Sequence, residues 1–325
     1  MQQSVFLGTG DPLAETTVKV QEQPLPSLGP SDVLVTTKAI SINPVDYKIL
    51  KGAFPNKAGP GETGWGSDVA GIVAAVGAEV TTLKVGDEVY SDAILHSPFA
   101  TAVRIPAHKA SKKPANLSFA EAATVPLAGQ TALQALRDHG RMQPGFRVCV
   151  FGGSGGVGAF ALQIAKALGA SHVACTSSNK EMCERLGADQ VVNYREADVG
   201  EVLAGGDFDI VFDTVGGSAH WNAGRKIIKS GGRFVTIAGD GGSMAKTMSR
   251  AVWRMFKSSF GGTPYAIFLT KNGAGDLDVL REMAEAGKLK AVVDGDSYKW
   301  GDEGIRSMLE KIMSGRTKGK LVMEV

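Results

Sequence analysis

The first third of the chain consists of short apolar runs separated by turn residues. The runs Val18–Val20, Asp32–Ala39, Ala70–Val76 and Glu88–Tyr90 are punctuated by Pro-Ser, Gly and Gly-Asp signals. Short runs with this punctuation are typical of β-strands. Their spacing favours a small barrel or sandwich over β-α-β units.

After Asn116 the pattern changes to strands that alternate with helices. Ser118 and Glu121 have the spacing of a capping box, which predicts that a helix begins there. Apolar residues from Val157 to Leu168 recur at helical spacing, and Gly169 predicts the end of that helix. Near-continuous apolar runs predict strands at Arg147–Phe151, His172–Thr176, Gln190–Asn193, Phe208–Asp213 and Arg233–Ala238. Such strands alternating with helices predict a parallel sheet that is buried on both faces.

The last part of the chain contains further predicted elements. Met244–Lys257 is a predicted helix, and Tyr265–Leu269 is a predicted strand. Apolar positions from Leu277 to Ala284 indicate an amphipathic helix, and Gly319–Val325 has the pattern of a final strand. The chain contains no internal repeat and no low-complexity linker.

The net charge of the chain limits the kinds of molecule that it is expected to bind. The formal net charge of the 325 residues is +2, which argues against a strong nucleic-acid or membrane field. We therefore expect a small-molecule ligand and no nucleic-acid partner. One basic cluster is interpreted as a solvated helix face, and it consists of Lys246, Arg250, Arg254 and Lys257.

Cysteine usage and the apolar runs bear on location. Cys149, Cys175 and Cys183 form no CxxC pair, which is typical of a reducing compartment. Met1–Leu13 lacks the basic and apolar regions of a secretory signal. No apolar run approaches the length of roughly 18 residues that a membrane span requires. We expect a soluble, cytoplasmic protein.

A glycine-rich loop carries the clearest chemical signal. Its residues match GxGxxG and are Gly153, Ser154, Gly155, Gly156, Val157 and Gly158. The motif alone is weak in a chain with 42 glycines, but here it follows a predicted strand and opens a predicted helix. Gly155 lets the backbone approach a pyrophosphate, and the helix N-terminus offers free N–H groups to the anion. The loop therefore predicts a dinucleotide site.

The end of the second strand indicates which dinucleotide binds. NAD enzymes usually place a carboxylate there to bind the ribose 2′-hydroxyl. In this chain the corresponding segment runs from Cys175 to Lys180 and contains no carboxylate. Ser177, Ser178 and Lys180 can instead receive a 2′-phosphate, which favours NADPH over NADH. The alternative is that Ser178 or Asn179 only caps the next helix.

With this loop placed, nearly the whole chain resembles the zinc-free quinone oxidoreductase branch of the medium-chain dehydrogenase/reductase superfamily. The resemblance depends on the order and spacing of several motifs. Besides the glycine loop they are INPVDYK at 42–48, GSDVAG at 66–71, VGDEV at 85–89, GQTA at 129–132, LGAD at 186–189, FDTVGG at 212–217 and GKLV at 319–322.

The resemblance implies an α/β protein of two domains. A GroES-like, β-rich catalytic domain would comprise residues 1–124 and 272–325. A Rossmann domain with a doubly wound parallel sheet would comprise residues 125–271 and bind NADPH. Nicotinamide and substrate would occupy the cleft between the domains. In this superfamily the edge strand of the Rossmann sheet commonly meets its twin, so a homodimer is expected.

The chain departs from the family's zinc alcohol dehydrogenases at the ligand positions. Those enzymes have a cysteine where this chain has Asn43 and a His-Glu pair where it has Ser67-Asp68. Their third ligand, a cysteine, falls near Leu127. The lobe with four closely spaced cysteines is also absent. Because zinc requires Cys, His or carboxylate ligands in a tetrahedral set, no metal is expected.

The resemblance also implies further cofactor contacts. Thr131 resembles a residue beside the nicotinamide, and Tyr194 resembles a tyrosine near the 2′-phosphate. Alternatively, Thr131 starts a helix and Tyr194 is a core aromatic residue. The remaining contacts follow the later strands and are Val215, Gly216, Ala238 and Gly239.

These features predict an NADPH-dependent reductase that transfers hydride to a conjugated carbonyl, either a quinone or an α,β-unsaturated ketone or aldehyde. A conjugated acceptor suits a site without a Lewis acid, since negative charge delocalises onto an oxygen that hydrogen-bond donors stabilise. Two alternatives stay open: an enoyl reductase of acyl or polyketide intermediates, and a non-catalytic NADPH-binding protein.

The sequence leaves the proton donor open. The candidate catalytic residues on the segments that the resemblance places at the cleft are Asn43, Tyr47, Lys48 and Ser67. Solvent is a further candidate. The region 241–262 is rich in Met, Trp and Phe, and it is expected to form an apolar wall over a hydrophobic substrate. Plain packing or a dimer contact are the alternatives for that region.

Overall fold

The computed structural model describes residues 1–7, 9–14, 17–53, 64–239, 244–258, 260–295 and 297–325, apart from the side chains of Phe6 and of residues 244–246. Contacts divide the chain into two compact units. The first comprises residues 1–130 and 271–325, and the second comprises residues 131–270.

The strands, in chain order, are β1 Gln2–Phe6, β2 Val18–Glu22, β3 Asp32–Ser41, β4 Asp68–Val76, β5 Glu88–Asp92, β6 Ala102–Pro106, β7 Ala110–Lys112, β8 Arg147–Phe151, β9 His172–Thr176, β10 Gln190–Val192, β11 Phe208–Asp213, β12 Ile228–Thr236, β13 Tyr265–Ile267, β14 Tyr298–Lys299 and β15 Val322–Glu324. The helices are α1 Pro44–Leu50, α2 Phe119–Ala123, α3 Pro126–Gln134, α4 Gly156–Ala167, α5 Lys180–Arg185, α6 Val199–Val202, α7 Ser218–Ile227, α8 Met244–Ser258, α9 Ala274–Glu285 and α10 Asp302–Met313.

The first unit is built on a mainly antiparallel sheet. Its strand order is β14-β15-β3-β4-β5-β7, and β6 pairs with β3 outside this path. In β3, Val33 and Val35 are buried whereas the side chain of Thr36 is exposed, as expected for a strand with one face on the core. β15 pairs antiparallel with β3 and sets Val322 opposite Ser41. The C-terminal strand is thus part of the sheet that the N-terminal segment forms.

Side-chain hydrogen bonds also hold the C-terminal segment to the N-terminal strands. The buried Tyr90 hydroxyl in β5 donates to the carbonyl of Leu277 in α9 at 2.6 Å. Asn272 Nδ2 donates to the carbonyl of Asp92 at 3.1 Å. Because the unit is discontinuous in sequence, these long-range bonds stabilise it only once both segments are in place.

The second unit contains a six-stranded sheet in the order β10-β9-β8-β11-β12-β13. Every pairing in this sheet is parallel. All six residues of β11 are buried, because helices cover both faces of such a sheet. This confirms the predicted fold class, a GroES-like β-rich part together with a Rossmann-type parallel sheet.

Individual predicted elements agree with the structure to within a few residues. The Ser118 hydroxyl accepts from the backbone N–H of Glu121 at 3.2 Å, and the Glu121 carboxylate accepts from the Ser118 N–H at 2.8 Å, so the capping box is confirmed. β12 begins at Ile228, earlier than the predicted Arg233. The four residues after Ile228 are polar or Gly, and they join the strand through a register shift opposite β11 that the apolar pattern does not reveal.

None of the described helices is both long enough and apolar enough to cross a lipid bilayer.

Candidate functional site

The glycine loop lies at the carboxyl end of β8 and leads into α4. A Cβ atom on Gly158 would lie 2.1 Å from the carbonyl oxygen of Gly152, and one on Gly153 would lie 2.7 Å from the Sγ of Cys175. These two glycines are therefore required for close packing of the loop against helix and strand. A Cβ on Gly155 would meet only the Gly152 oxygen, at 3.5 Å. Gly155 precedes the first turn of α4 and leaves its backbone open to an incoming group.

The end of β9 is bonded directly to this loop. The Ser177 hydroxyl donates to the Ser154 hydroxyl at 2.8 Å and accepts from the N–H of Asn179 at 2.9 Å. Asn179 caps α5 through the N–H of Met182, so the predicted capping role is confirmed for Asn179. Ser178 and Lys180 are exposed, and Lys180 Nζ lies 3.7 Å from a carboxylate oxygen of Glu184.

The ends of β11 and β12 meet at the same edge of the sheet. Gly216 and Gly217 both have positive φ angles, 87° and 99°, which favour glycine. A Cβ on Gly216 would lie 2.4 Å from the carbonyl oxygen of Gly239. The N–H of Gly217 donates to that same oxygen at 3.2 Å. The predicted residues Val215, Gly216, Ala238 and Gly239 are thereby brought together.

A buried carboxylate organises this pair of loops. Oδ1 of Asp213 accepts from the backbone N–H groups of Val215 and Gly216, both at 3.0 Å. The Thr236 hydroxyl lies 3.4 Å from the other carboxylate oxygen, and the His220 ring lies 3.7 Å from Oδ1. Burial raises the pKa of Asp213, and the two backbone N–H groups and His220 oppose that rise. The sequence analysis did not single out Asp213.

The positions of Thr131 and Tyr194 in the structure bear on the two interpretations that the sequence left open for each. Thr131 lies inside α3 rather than at its start, and its hydroxyl is 2.6 Å from that of Thr270. Tyr194 follows β10 and is 55% exposed, so the interpretation as a core aromatic residue is wrong. The Arg195 guanidinium lies 5.9 Å from the Tyr194 ring centroid.

The residues at this edge fit a dinucleotide. Parallel strands direct their carboxyl ends to one edge, and ligands of such sheets bind there. Gly155 and the first turn of α4 can hold a pyrophosphate through backbone N–H groups. Hydroxyls and a lysine follow the neighbouring strand, at the position where a ribose phosphate would lie. The second unit therefore contains the features of a nicotinamide dinucleotide site.

The first unit contains a buried cluster of polar side chains around one lysine. Lys320 Nζ donates to the Asn43 Oδ1 atom at 2.6 Å, to the Ile42 carbonyl at 2.8 Å and to Asp68 Oδ2 at 3.1 Å. Asn43 Nδ2 in turn donates to Ser67 Oγ at 2.8 Å and to Asp68 Oδ2 at 2.7 Å. The three ammonium protons and the amide of Asn43 are thus fully used within the cluster.

Two carboxylates complete the cluster. The Ser67 hydroxyl donates to Asp46, with oxygen separations of 3.0 and 3.1 Å. Asp46 lies in the first turn of α1, and its carboxylate also accepts from the backbone N–H of Asn43 at 2.7 Å. Asp68 accepts from the N–H of Leu127 at 2.8 Å. The positions that align with zinc ligands, at 43, 67–68 and 127, therefore do converge.

Burial governs the charges in this cluster. The pKa of Asp46 is raised to about 7, mainly by desolvation. The nearby Asp68 contributes to this rise, whereas the backbone hydrogen bond from Asn43 and the Lys320 ammonium oppose it. Desolvation also raises the pKa of Asp68, opposed by Lys320 and Asn43. Asp92, on the neighbouring strand, has a pKa well above its usual range because it is buried near the other two carboxyls. Protons can therefore reside on this cluster at neutral pH.

The donor set does not fit zinc. An amide, a hydroxyl and one carboxylate occupy the aligned positions, and the carboxylate is already paired with the Lys320 ammonium. A zinc ion placed there would face a buried cation, and an amide and a hydroxyl are poor zinc ligands. Across the described part of the chain, no group of three or more His, Cys, Asp or Glu side chains is arranged to hold a metal.

The remaining catalytic candidates differ in exposure. Asn43 is 4% exposed and Ser67 is fully buried, and both use their polar groups inside the cluster. Tyr47 is half-buried on α1, and burial raises the pKa of its hydroxyl. Lys48, the next residue, is exposed. Of the four candidates, the structure leaves Tyr47 and Lys48 accessible.

Sequence reasoning missed Lys320, Asp46 and Asp92. The sequence does contain a signal for Lys320, because it stands between Gly319 and the apolar residues of the final strand. A charged side chain next to a buried strand needs a buried partner. The motif at 319–322 is interpreted as a mark of the family resemblance and as part of the final strand, with no role given to its lysine. Its partner on β4 is distant in sequence and could not be identified from spacing.

The expectation that the region 241–262 forms an apolar wall over the substrate stays a prediction. Residues 241–243 and 259, and the side chain of Met244, lie outside the described residues. The large apolar side chains of α8 and the following turn point into solvent, so the alternative of plain packing is wrong for them. They are Met248, Trp253, Met255, Phe256 and Phe260.

Two family profiles match the chain. The profile of the alcohol dehydrogenase GroES-like domain matches residues 29–133, and a profile described as zinc-binding dehydrogenase matches residues 186–323. The zinc of that description is not carried over, since the donor set described above does not fit it.

Individual relatives are similar over most of the chain. A 2-methylene-furan-3-one reductase of Solanum lycopersicum is 34% identical, covering 92% of this chain and 73% of its own length. A trans-enoyl reductase of Aspergillus terreus is 31% identical over 98% of this chain and 94% of its own. Among solved structures, Escherichia coli quinone oxidoreductase complexed with NADPH superposes with a TM-score of 0.82 at 26% identity, covering 100% of both chains.

Removing the buried ammonium should destabilise the first unit. We expect Lys320→Met to lower the free energy of unfolding by about 3 kcal/mol or more, because Asp68 is left as an unpaired buried charge. The double variant Lys320→Met/Asp68→Asn should recover part of that loss. Urea unfolding followed by circular dichroism measures both. Equal stability of the single and double variants would contradict the pairing.

Asp46 should make stability depend on pH. Its folded-state pKa of about 7 exceeds the ordinary value of 3.8, so the folded state binds more protons between these limits. Stability therefore falls as pH rises from about 4 to about 7. The midpoint of urea unfolding, measured at a series of pH values, reports this stability. We expect Asp46→Asn to fold and to show a smaller decline of the midpoint with rising pH. A variant whose midpoint falls with pH as steeply as that of the natural chain would refute the assignment.

Proposed function

The chain belongs to the medium-chain dehydrogenase/reductase family, in its quinone oxidoreductase branch, and from this we propose that it is an NADPH-dependent reductase of conjugated carbonyl compounds. It is an oxidoreductase that uses a nicotinamide cofactor. The acceptor class we propose is a quinone or an α,β-unsaturated ketone or aldehyde, a hydrophobic small molecule.

The choice of NADPH depends on the end of β9. Ser177 is hydrogen-bonded to Ser154 of the glycine loop, and the exposed residues Ser178 and Lys180 follow it. This segment contains no Asp or Glu. A 2′-phosphate would be attracted by the lysine and could accept from the hydroxyls, whereas a carboxylate would repel it. The similar Escherichia coli enzyme was solved with NADPH. This segment is the observation that carries the proposal.

The choice of acceptor follows from the donor set of the first unit. A dehydrogenase of simple alcohols needs an electrophile at the oxygen, and the cluster around Lys320 does not form a zinc site. A conjugated acceptor takes hydride at its β-carbon, and the negative charge moves to the carbonyl oxygen. When bound, NADPH supplies that hydride. The chain must then orient the acceptor and supply one proton to the resulting enolate.

We assign proton donation to Tyr47. A tyrosine hydroxyl is protonated at neutral pH, and burial raises the pKa of Tyr47 further, so its proton passes only to a strongly basic group such as an enolate oxygen or carbon. Asn43 begins α1, and Asp46 lies one residue before Tyr47, so the buried cluster fixes the helix on which the hydroxyl is carried. Asn43 and Ser67 are accordingly positioning residues. Lys48 and solvent are the competing donors.

A second function has specific support. The Aspergillus terreus relative is named a trans-enoyl reductase, and the same hydride and proton transfer would reduce an acyl or polyketide enoyl intermediate. A non-catalytic NADPH-binding role is the third possibility, because binding and turnover are separable. A cytoplasmic location and a homodimer formed at the edge strand β13 stay predictions.

Cofactor choice can be tested at Ser178. We expect Ser178→Asp to weaken NADPH binding by about tenfold or more and to leave NADH binding nearly unchanged, because the new carboxylate repels only the 2′-phosphate. Ser171→Asp places the same charge just before the other end of β9 and serves as the control. Fluorescence titration measures both affinities. The purified chain is then assayed with quinones, enones and enoyl thioesters.

Each result of that assay has a distinct meaning. Equal loss of NADPH and NADH affinity in Ser178→Asp would contradict the 2′-phosphate site. Turnover of enoyl thioesters alone would favour the second function. Tight NADPH binding with no turnover of any acceptor would favour the non-catalytic role.

The proton donor can be tested separately. We expect Tyr47→Phe to lower kcat by about a hundredfold with NADPH affinity unchanged, since only the transferable proton is removed. Tyr298→Phe, at another partly buried tyrosine of the first unit, is the matched control. An unchanged kcat in Tyr47→Phe together with a loss in Lys48→Met would assign the role to Lys48. No loss in either would assign it to solvent.

A further inference from the structure

The segment that contains α8 has a charge unlike the rest of the chain. Between residues 241 and 275 there are five basic residues and no Asp or Glu, whereas the whole chain has a formal charge of only +2. The basic residues are Lys246, Arg250, Arg254, Lys257 and Lys271. The remainder of the chain is therefore slightly acidic, and this segment concentrates positive charge at one place.

The outer face of α8 is also apolar and aromatic. Val252 is 60% exposed, Trp253 57%, Phe256 55% and Phe260 74%, while Ala251 is buried. The rings of Trp253 and Phe256 are 6.0 Å apart between centroids, and those of Phe256 and Phe260 are 4.9 Å apart. Contiguous exposed apolar surface of this kind marks an interaction site, whereas scattered apolar residues do not.

A basic groove lies beside this aromatic face, between α7 and α8. It has a volume of about 500 Å³, and the described residues that line it include Arg225, Arg250, Arg254 and Lys257 but no acidic residue. The Trp221 ring lies against two of these cations, 5.8 Å from Arg225 and 4.9 Å from Arg254. Stacking of this kind holds guanidinium groups in place, and Arg254 Nη1 also lies 3.4 Å from the Tyr265 hydroxyl oxygen, to which it donates.

The groove begins at Ser218, beside the loop that follows β11, and runs away from the glycine loop toward the amino edge of the sheet. Its lining extends to Gly261, Gly262 and Thr263, which precede the amino end of β13. The glycine loop lies at the carboxyl ends of the same parallel strands. An anion in the groove would therefore not occupy the pyrophosphate position.

We propose that the aromatic face of α8 and the basic groove beside it dock the protein onto a membrane surface that contains anionic phospholipid. Exposed Trp and Phe side chains enter the boundary between headgroups and acyl chains, and adjacent Arg and Lys side chains bind the phosphate groups. An amphipathic helix with this combination lies in the plane of the interface and does not span the bilayer.

The same observations disfavour two other occupants. In a two-fold contact this surface would meet itself, so cations would face cations with no acidic residue between 241 and 275 to pair with them. A nucleic acid could bind the cations through its phosphates and stack its bases on the aromatic rings. It offers no partner for the exposed aliphatic side chains of Met248, Val252 and Met255.

The test is flotation of the full chain with vesicles of two compositions. We expect binding to phosphatidylcholine vesicles that contain phosphatidylglycerol, and roughly tenfold weaker binding to pure phosphatidylcholine. Added salt should weaken the first interaction. Trp253→Ser/Phe256→Ser should reduce binding about tenfold, and Lys257→Glu about fivefold.

Two control variants make the same kinds of substitution away from α8. Leu25→Ser removes another apolar side chain that is 59% exposed, and Lys84→Glu makes the same charge reversal at an exposed lysine of the first unit. Both should bind like the natural chain, and circular dichroism verifies that every variant is folded. Equal binding to both vesicle types, or unaltered binding of the aromatic variant, would overturn the proposal. A doubled mass in light scattering that Phe256→Ser abolishes, without vesicle binding, would assign the face to a second copy.

Discussion

The Lys320 ammonium is the interaction on which the first unit depends. It comes from the segment before the last strand and bonds to the end of β3, to the first residue before α1 and to the start of β4. A buried cation without such partners would cost several kcal/mol, so the segments must arrive together. Burial of Lys320 thus couples the C-terminal tail to the N-terminal sheet, and it fixes Asn43 where α1 begins.

That same lysine determines what chemistry the unit can perform. It neutralises one carboxylate of the cluster and leaves Asp46 and Asp92 with raised pKa values. The positions that hold a metal in related dehydrogenases instead form a closed network of hydrogen bonds, which supplies rigidity and no open coordination site. A reaction run beside such a network needs an acceptor that delocalises its own charge. The proposed conjugated carbonyl has that property.

Local patterns predicted much of the fold because local physics decides it. The apolar run Arg147–Phe151 could only be a buried strand, and the glycines that follow it are required by contacts with Gly152 and Cys175. The capping box at Ser118 is formed by residues three apart. Lys320 and Asp68 are far apart in sequence, so their pairing has no local signature. Tyr194 shows the same limit, since sequence could not decide whether its ring was buried or exposed.

The second unit has two surfaces to which we assign different ligands, and they lie on different parts of one sheet. The carboxyl ends of its strands present backbone N–H groups and hydroxyls to a dinucleotide, while the groove beside α8 extends to the amino end of β13. Quinones and enones with long apolar substituents partition into lipid, where their concentration exceeds that in water. Docking through α8 would bring the enzyme to this pool and leave the carboxyl edge of the sheet accessible to a water-soluble cofactor. The exposed aromatic face would then serve substrate supply, and the chain would need no spanning helix to reach an apolar acceptor.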